Sequence, residues 1–111
     1  MGHQIDAGDQ GVYFTDGAWL VSGWCERAAP REKPPSMSER DWMEAQMGTT
    51  YHSADAVRLA DSQVPHSFAR AKELGFLDGH FRAEIDEDAF RQCREFLSYA
   101  ARQGHDISGS H

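Results

Sequence analysis

The chain has 111 residues, 40% of them hydrophobic and 11% aromatic, and its eighteen acids and eleven bases give a net charge of −7. This length fits a single domain with one core, and the aromatic content excludes a wholly disordered chain. The negative charge disfavours binding to nucleic acid or to an anionic membrane, because both carry phosphates. We therefore predict one acidic domain over residues 1–111, with flexible ends at 1–10 and 108–111.

The sequence also bears on the compartment. Its start lacks the basic and apolar regions of a secretory signal, and nowhere do roughly 18 consecutive apolar residues occur. This predicts a cytoplasmic protein that makes no membrane contact. Cys25 and Cys93 belong to no Cys-x-x-Cys pair, so we expect two free thiols, with one disulfide between them as the alternative.

Residues 11–24, GVYFTDGAWLVSGW, carry a hairpin signal. Asp16-Gly17 between aromatic and β-branched residues is typical of a two-residue type I′ turn. This register would place Val21 on a covered face and Tyr13, Leu20 and Trp24 on the opposite face. Residues 27–38, RAAPREKPPSMS, hold three of the four prolines and are predicted to form a loop.

Capping residues predict the helices that follow. Ser36 or Ser38 would start a helix that runs to about Met47, Ser53 would start a second that ends at Val64-Pro65, and Ser67 a third that ends at Gly75. Two short segments, 49–52 and 80–85, are candidate strands. The final helix would begin at the N-cap Asp86 and end at Gly104, and its apolar stripe leaves Arg91, Arg94, Glu95 and Arg102 outside the core.

These elements together predict an α+β fold. An N-terminal β-hairpin, as part of a small antiparallel sheet, would pack on three to four α-helices, of which the C-terminal one is longest.

The sequence contains no recognisable catalytic or metal motif. No His-x-x-x-His spacing, nucleophile elbow or phosphate-binding glycine loop occurs. We therefore predict no enzyme activity, no cofactor and no bound metal. Convergence of His66, His80 and His105 in space is the alternative that sequence spacing leaves open.

The composition favours a protein that acts by binding another protein. Exposed aromatic and Met residues are enriched at interface centres, and a net negative charge favours a basic partner. We expect an inhibitor or antagonist of the toxin-immunity or phage anti-defence type; a homodimer is the alternative way of covering the same apolar residues. The predicted partner-binding residues are Tyr13, Leu20, Trp24, Trp42, Glu84, Asp86, Glu87 and Asp88.

Two further function classes stay open. Residues 56–75, AVRLADSQVPHSFARAKELG, resemble a helix-turn-helix unit of the repressor kind, with Ser67, Arg70 and Lys72 on the recognition helix. The long turn and Pro65 depart from that pattern, and packing of two helices explains the same spacing. An unrecognised small enzyme or ligand-binding domain is the third class, and it would require a deep pocket with converging His and carboxylate groups.

Two segments resemble parts of small bacterial proteins of unassigned activity. SADAVRLAD, residues 53–61, is similar to a Ser-Ala-x-x-Ala-x-x-Leu-Ala-Asp helix start, with one position fewer between Ala54 and Ala56. The second match is Arg-Glu-Phe-Leu at 94–97, followed by Gly104 and Ile107. The resemblance implies a bacterial or phage origin and an amphipathic C-terminal helix, and it implies no particular chemistry.

Overall fold

The computed structural model describes residues 4–13, 17–30, 33–77 and 85–110. In chain order the elements are two strands, two helices, a strand, three helices and a final strand. They are β1 (Gln4–Ala7), β2 (Gln10–Tyr13), α1 (Gly17–Ala28), α2 (Glu39–Gly48), β3 (Thr49–His52), α3 (Ala54–Gln63), α4 (Phe68–Glu73), α5 (Glu87–Gln103) and β4 (Ile107–Ser110). This is an α+β fold with the C-terminal helix longest, as predicted, and its described part contains five helices rather than three to four.

The four strands form one antiparallel sheet in the order β2-β1-β4-β3. β1 and β2 form the N-terminal hairpin, with Ala7 opposite Gln10 and a two-residue loop at Gly8-Asp9. Gly8 has φ +63° and Asp9 has no positive φ, which is the φ pattern of a type II′ turn. The predicted N-terminal hairpin therefore exists, but at residues 4–13.

The hairpin predicted over residues 11–24 is wrong, because α1 occupies Gly17–Ala28. Asp16, the first residue of the expected turn, lies outside the described residues. Leu20, Val21, Trp24 and Cys25 recur at helical spacing, and all four are buried. A strand would place Leu20 and Val21 on opposite faces, whereas a helix buries both against α3 and α5.

The capping predictions for three helices are confirmed. Ser53 and Ser67 accept the amide hydrogens of Ala56 and Arg70 at the starts of α3 and α4. Asp86 accepts the amide hydrogen of Ala89 at 2.8 Å and begins α5. In α2, the Oγ of Ser38, rather than that of Ser36, accepts the amide hydrogen of Asp41.

The chain after α5 does not trail off as expected. Gly104 ends the helix in the left-handed conformation, with φ +69°, and the chain turns back into β4 between β1 and β3. The side chain of Ile107 is fully buried there. β1 likewise belongs to the sheet, with Ile5 and Ala7 fully buried, so 4–10 and 108–110 are structural parts of the fold.

Of the two strands predicted in the middle of the chain, the one at 49–52 is confirmed as β3. Most of the other, at 80–85, lies outside the described residues.

The core lies between the sheet and the helices α1, α3 and α5, which pack on one another. The predicted stripe of α5 is confirmed: Phe90, Cys93, Phe96, Leu97 and Ala100 are buried. Arg94 is the exception to the prediction, since its side chain is only 4% exposed. That buried guanidinium leads to the candidate site.

Candidate functional site

Arg94 is the centre of a polar cluster between α3 and α5. Its Nη1 donates to the Oδ1 of Asp61 at 2.7 Å and to the Oγ of Ser98 at 3.1 Å. Its Nη2 donates to the backbone carbonyl of Asp61 at 2.9 Å and lies 3.0 Å from the Nε2 of His66. The four Nη hydrogens are thus used, and only the buried Nε has no partner among the described residues.

This geometry fixes the roles of the other groups. A guanidinium can only donate, so the Nε2 of His66 is the acceptor in its contact with Arg94. Ser98 accepts from Arg94 and donates to Asp61 at 3.1 Å. The charge of Arg94 is therefore compensated by Asp61, and the cluster ties the end of α3 to the middle of α5.

A cavity of about 220 Å³ opens beside this cluster. It lies between α5 and the start of α4. Its lining comprises two aromatic rings, three basic or imidazole side chains and two carboxylates: Phe68, Phe90, His66, Arg91, Arg94, Glu87 and Glu95. The rings of Phe68 and Phe90 meet edge to face, with centroids 5.8 Å apart. The cavity is smaller than the roughly 300–1,000 Å³ of most small-molecule sites.

The two carboxylates at this cavity differ from most acids of the described chain. Glu87 and Glu95 are exposed and have no hydrogen bond or ion pair with any described residue. Arg91 lies between them on the same helix face and pairs with Asp88 at 3.4 Å. That pair is exposed on both sides, so it holds Arg91 only weakly. Glu87 and Glu95 therefore lie at the rim of the cavity without an ion pair to a described residue, although Arg91 is four positions from each on the same helix face.

The structure places three of the predicted acidic partner residues at the N-terminal end of α5. Asp86 is the N-cap, Asp88 pairs with Arg91, and Glu87 lines the cavity. Glu84 lies outside the described residues. The dipole of α5 favours these acids, and the adjacent cavity was not visible in the sequence.

The predicted aromatic surface is not formed by the residues expected there. Leu20 is buried, and Trp24 is buried with its Nε1 donating to the carbonyl of Phe76 at 2.8 Å. Tyr13 lies in β2, and Trp42 is half-buried on α2. Leu20 and Trp24 are thus core residues and are not available to a partner in this fold.

The alternative that the sequence left open, convergence of three histidines, is not seen for the two of them that the structure describes. His66 contacts Arg94, whereas His105 packs on Tyr99, with ring centroids 5.9 Å apart. Eleven residues of chain, most of them helical, separate Arg94 from His105, which amounts to about 16 Å at 1.5 Å per residue. His80 lies outside the described ranges, and within those ranges no group of three or more potential ligands could hold a metal ion.

Sequence reasoning missed a second buried polar pair. The Oγ of Ser22 on α1 lies 2.9 Å from the Nε2 of His52 on β3. His52 is only 2% exposed and Ser22 is half-buried, so little of this pair is open to solvent. Its evident role is to join α1 to the sheet, and no local signal predicts it because the residues are 30 positions apart.

The two cysteines are free, as predicted, and both are buried. Burial raises the pKa of each thiol to about 12, and the negative charge of Glu26 adds to the effect at Cys25. A thiol with so high a pKa is protonated at neutral pH and is a poor nucleophile.

The segment that resembles a helix-turn-helix unit forms α3 and α4. Val57, Ala60 and Ala71 are buried and Phe68 packs against the core, as the helix-packing explanation expects. Arg70 pairs with Glu73 at 3.3 Å, and α4 spans only six residues.

Comparison with protein-family models, with curated proteins and with solved structures found no match. The resemblance to small bacterial proteins and the function classes therefore stay predictions. Among the described helices, none combines the length and the apolar character needed to cross a membrane.

Proposed function

We propose that this protein is a non-enzymatic, cytoplasmic binding protein that inhibits or antagonises another protein with a basic surface. The observation that carries the proposal is that Glu87 and Glu95 form no ion pair with a described residue and lie beside a cavity that also has two aromatic side chains in its lining. Unpaired charge at an apolar depression is the arrangement expected of an interface, where it steers a partner of opposite charge and fixes its orientation.

The distribution of ion pairs supports this proposal. Several exposed arginines of the described chain are engaged with acids on their own helices, namely Arg40, Arg58, Arg70 and Arg91. The acids left without a described partner include Glu39 and Asp41 on α2 and the two on α5. Part of the net charge of −7 therefore comes from unpaired acids on the surfaces of α2 and α5. Of these two surfaces, only that of α5 adjoins the cavity.

Two double variants test the proposal, because each removes two exposed negative charges; both acids of the α2 pair lie in the first turn of their helix, whereas on α5 only Glu87 does. Glu87→Gln with Glu95→Gln alters the α5 surface, and Glu39→Gln with Asp41→Asn is the matched control on α2. The immobilised proteins are used at physiological salt to capture proteins from the source organism. A captured protein is then identified, purified and titrated against all three chains.

We expect a basic protein to bind the unaltered chain directly, with affinity that falls as salt is raised. Loss of both α5 carboxylates should weaken binding at least about tenfold, the effect of about 1.4 kcal/mol, while the control retains it. Equal losses in both variants would contradict a specific α5 interface. Self-association alone, measured by sedimentation, would favour the homodimer instead.

A further inference from the structure

We infer that the cavity beside Arg94 receives one basic side chain of the partner, with a guanidinium as the best fit. The inference rests on the proposed function, since it names what the partner would insert at the α5 surface. The first argument is the size of the cavity, since a volume of about 220 Å³ is small for most organic ligands but suited to a single side chain.

The lining provides both kinds of contact that a guanidinium uses. Its face packs favourably on an aromatic ring, here that of the half-buried Phe68, and its N–H groups donate to carboxylates. Glu87 and Glu95 lie eight positions apart on α5, two helical turns, so they reach the cavity from two sides. Neither carboxylate is occupied by a described residue, so both can accept from an incoming group.

Two arginines also line the cavity, and their charges do not oppose this occupant strongly. Arg94 is neutralised by Asp61 at 2.7 Å, and its Nη hydrogens are all used. His66 contributes no positive charge in the state that accepts from Arg94. Arg91 is exposed and paired with Asp88 at 3.4 Å, so it can stay outside when a second cation enters.

The alternative occupant is an anion bound by Arg91 and Arg94. The donors of Arg94 are less suited to it, because the Nη hydrogens are committed and the free Nε is buried from solvent. An anion would also face the two carboxylates directly. The free carboxylates and the committed donors of Arg94 together favour a cation over an anion in the cavity. Binding of an anion there is an outcome that would overturn the inference.

The experiment uses the full chain, labelled with ¹⁵N, and N-acetyl-arginine amide as the probe. Amide chemical shifts are followed during titration at low salt, with N-acetyl-citrulline amide as an uncharged probe of nearly the same shape. We expect saturable shifts at Phe68 and along residues 87–95, with millimolar affinity for so small a ligand. The citrulline probe should bind about tenfold more weakly, the effect of losing one charge-assisted hydrogen bond.

The variants locate the site. Glu87→Gln with Glu95→Gln should lower arginine affinity about tenfold, whereas Glu39→Gln with Asp41→Asn should leave it within about twofold. Both pairs are exposed on helices, so unchanged circular dichroism spectra would show that the folds are intact.

Three results would overturn the inference. These are equal binding of the two probes, arginine shifts confined to α2, or absence of saturable shifts at the cavity up to the solubility of the probe. Acetate is titrated as a third probe, and its binding at the cavity in place of arginine would likewise overturn the inference, because it would indicate an anion site. None of these results would contradict partner capture through α5, so the failure of the inference and that of the proposed function can be told apart.

Discussion

Replacing Asp61 by Asn is expected to destabilise the protein more than replacing Arg94 by Met, although the two residues form one ion pair. The reason is their unequal burial: the Arg94 side chain is 4% exposed and that of Asp61 is 30% exposed. Without Asp61 the guanidinium stays buried with its charge uncompensated. Without Arg94 the carboxylate still reaches water and still accepts from Ser98 at 3.1 Å.

The structure allows the size of this difference to be worked out. Removing one partner of a buried pair costs about 3–5 kcal/mol, and the partial exposure of Asp61 places the cost at the lower end. Asp61 lies near the negative, carboxyl end of α3, where its charge is unfavourable, so removing that charge stabilises the protein by about 0.3–1 kcal/mol. We therefore expect Asp61→Asn to cost about 2–3 kcal/mol in free energy of unfolding. Arg94→Met should cost about 1 kcal/mol or less, because Met replaces the buried aliphatic stem of Arg94 and carries no charge.

Urea unfolding followed by circular dichroism measures these free energies. The double variant should unfold close to Arg94→Met, since Asn at position 61 then faces no buried charge. A cost for Arg94→Met that equals or exceeds that of Asp61→Asn would refute the reasoning. Simple addition of the two single costs in the double variant would also refute it, because it would show that the residues act independently.

Three further predictions concern the core and the backbone. Burial raises the pKa values of Cys25 and Cys93 to about 12, so neither thiol should react with a thiol reagent at pH 8 in the native state. Both should react in denaturing urea. Rapid labelling of the native chain would contradict their burial. Gly23 lies inside α1 with open space around it, so Gly23→Ala should raise the free energy of unfolding by about 0.5–1 kcal/mol, and a loss of stability would argue against the helix. Gly8 has φ +63°, and an added Cβ would lie 2.7 Å from the ring of His105. Gly8→Ala should therefore lower the melting temperature, because it introduces about 1–3 kcal/mol of strain. An unchanged melting temperature would show that the turn can rearrange.

The hairpin shows where local signals mislead. Asp16-Gly17 is a strong turn signal, and the sequence after it can be interpreted as a strand. In the structure the same segment is a helix, and one face of it buries Leu20, Val21, Trp24 and Cys25. The burial of this face against α3 and α5 outweighs the local preference of Asp16-Gly17 for a turn. The true hairpin, at Gly8-Asp9, uses a type II′ turn with fewer apolar residues on either side, so its signal was weaker.

The sequence by itself determined the elements whose start and stop signals act within a few residues. The caps Ser53, Ser67 and Asp86 and the stop at Gly104 are local hydrogen-bonding devices, so their effect does not depend on the rest of the fold. The acidic start of α5 was recognisable for the same reason.

Only the tertiary structure decided the site. Asp61 and Arg94 are 33 positions apart, and the packing of α3 on α5 brings them together; charge pattern alone had placed Arg94 outside the core. The same packing forms the cavity where Glu87 and Glu95 meet the rings of Phe68 and Phe90. β4 likewise joins the sheet because pairing with β1 and β3 buries Ile107. Contacts of this range depend on how whole elements are arranged, and hydrophobic periodicity along the chain does not encode that arrangement.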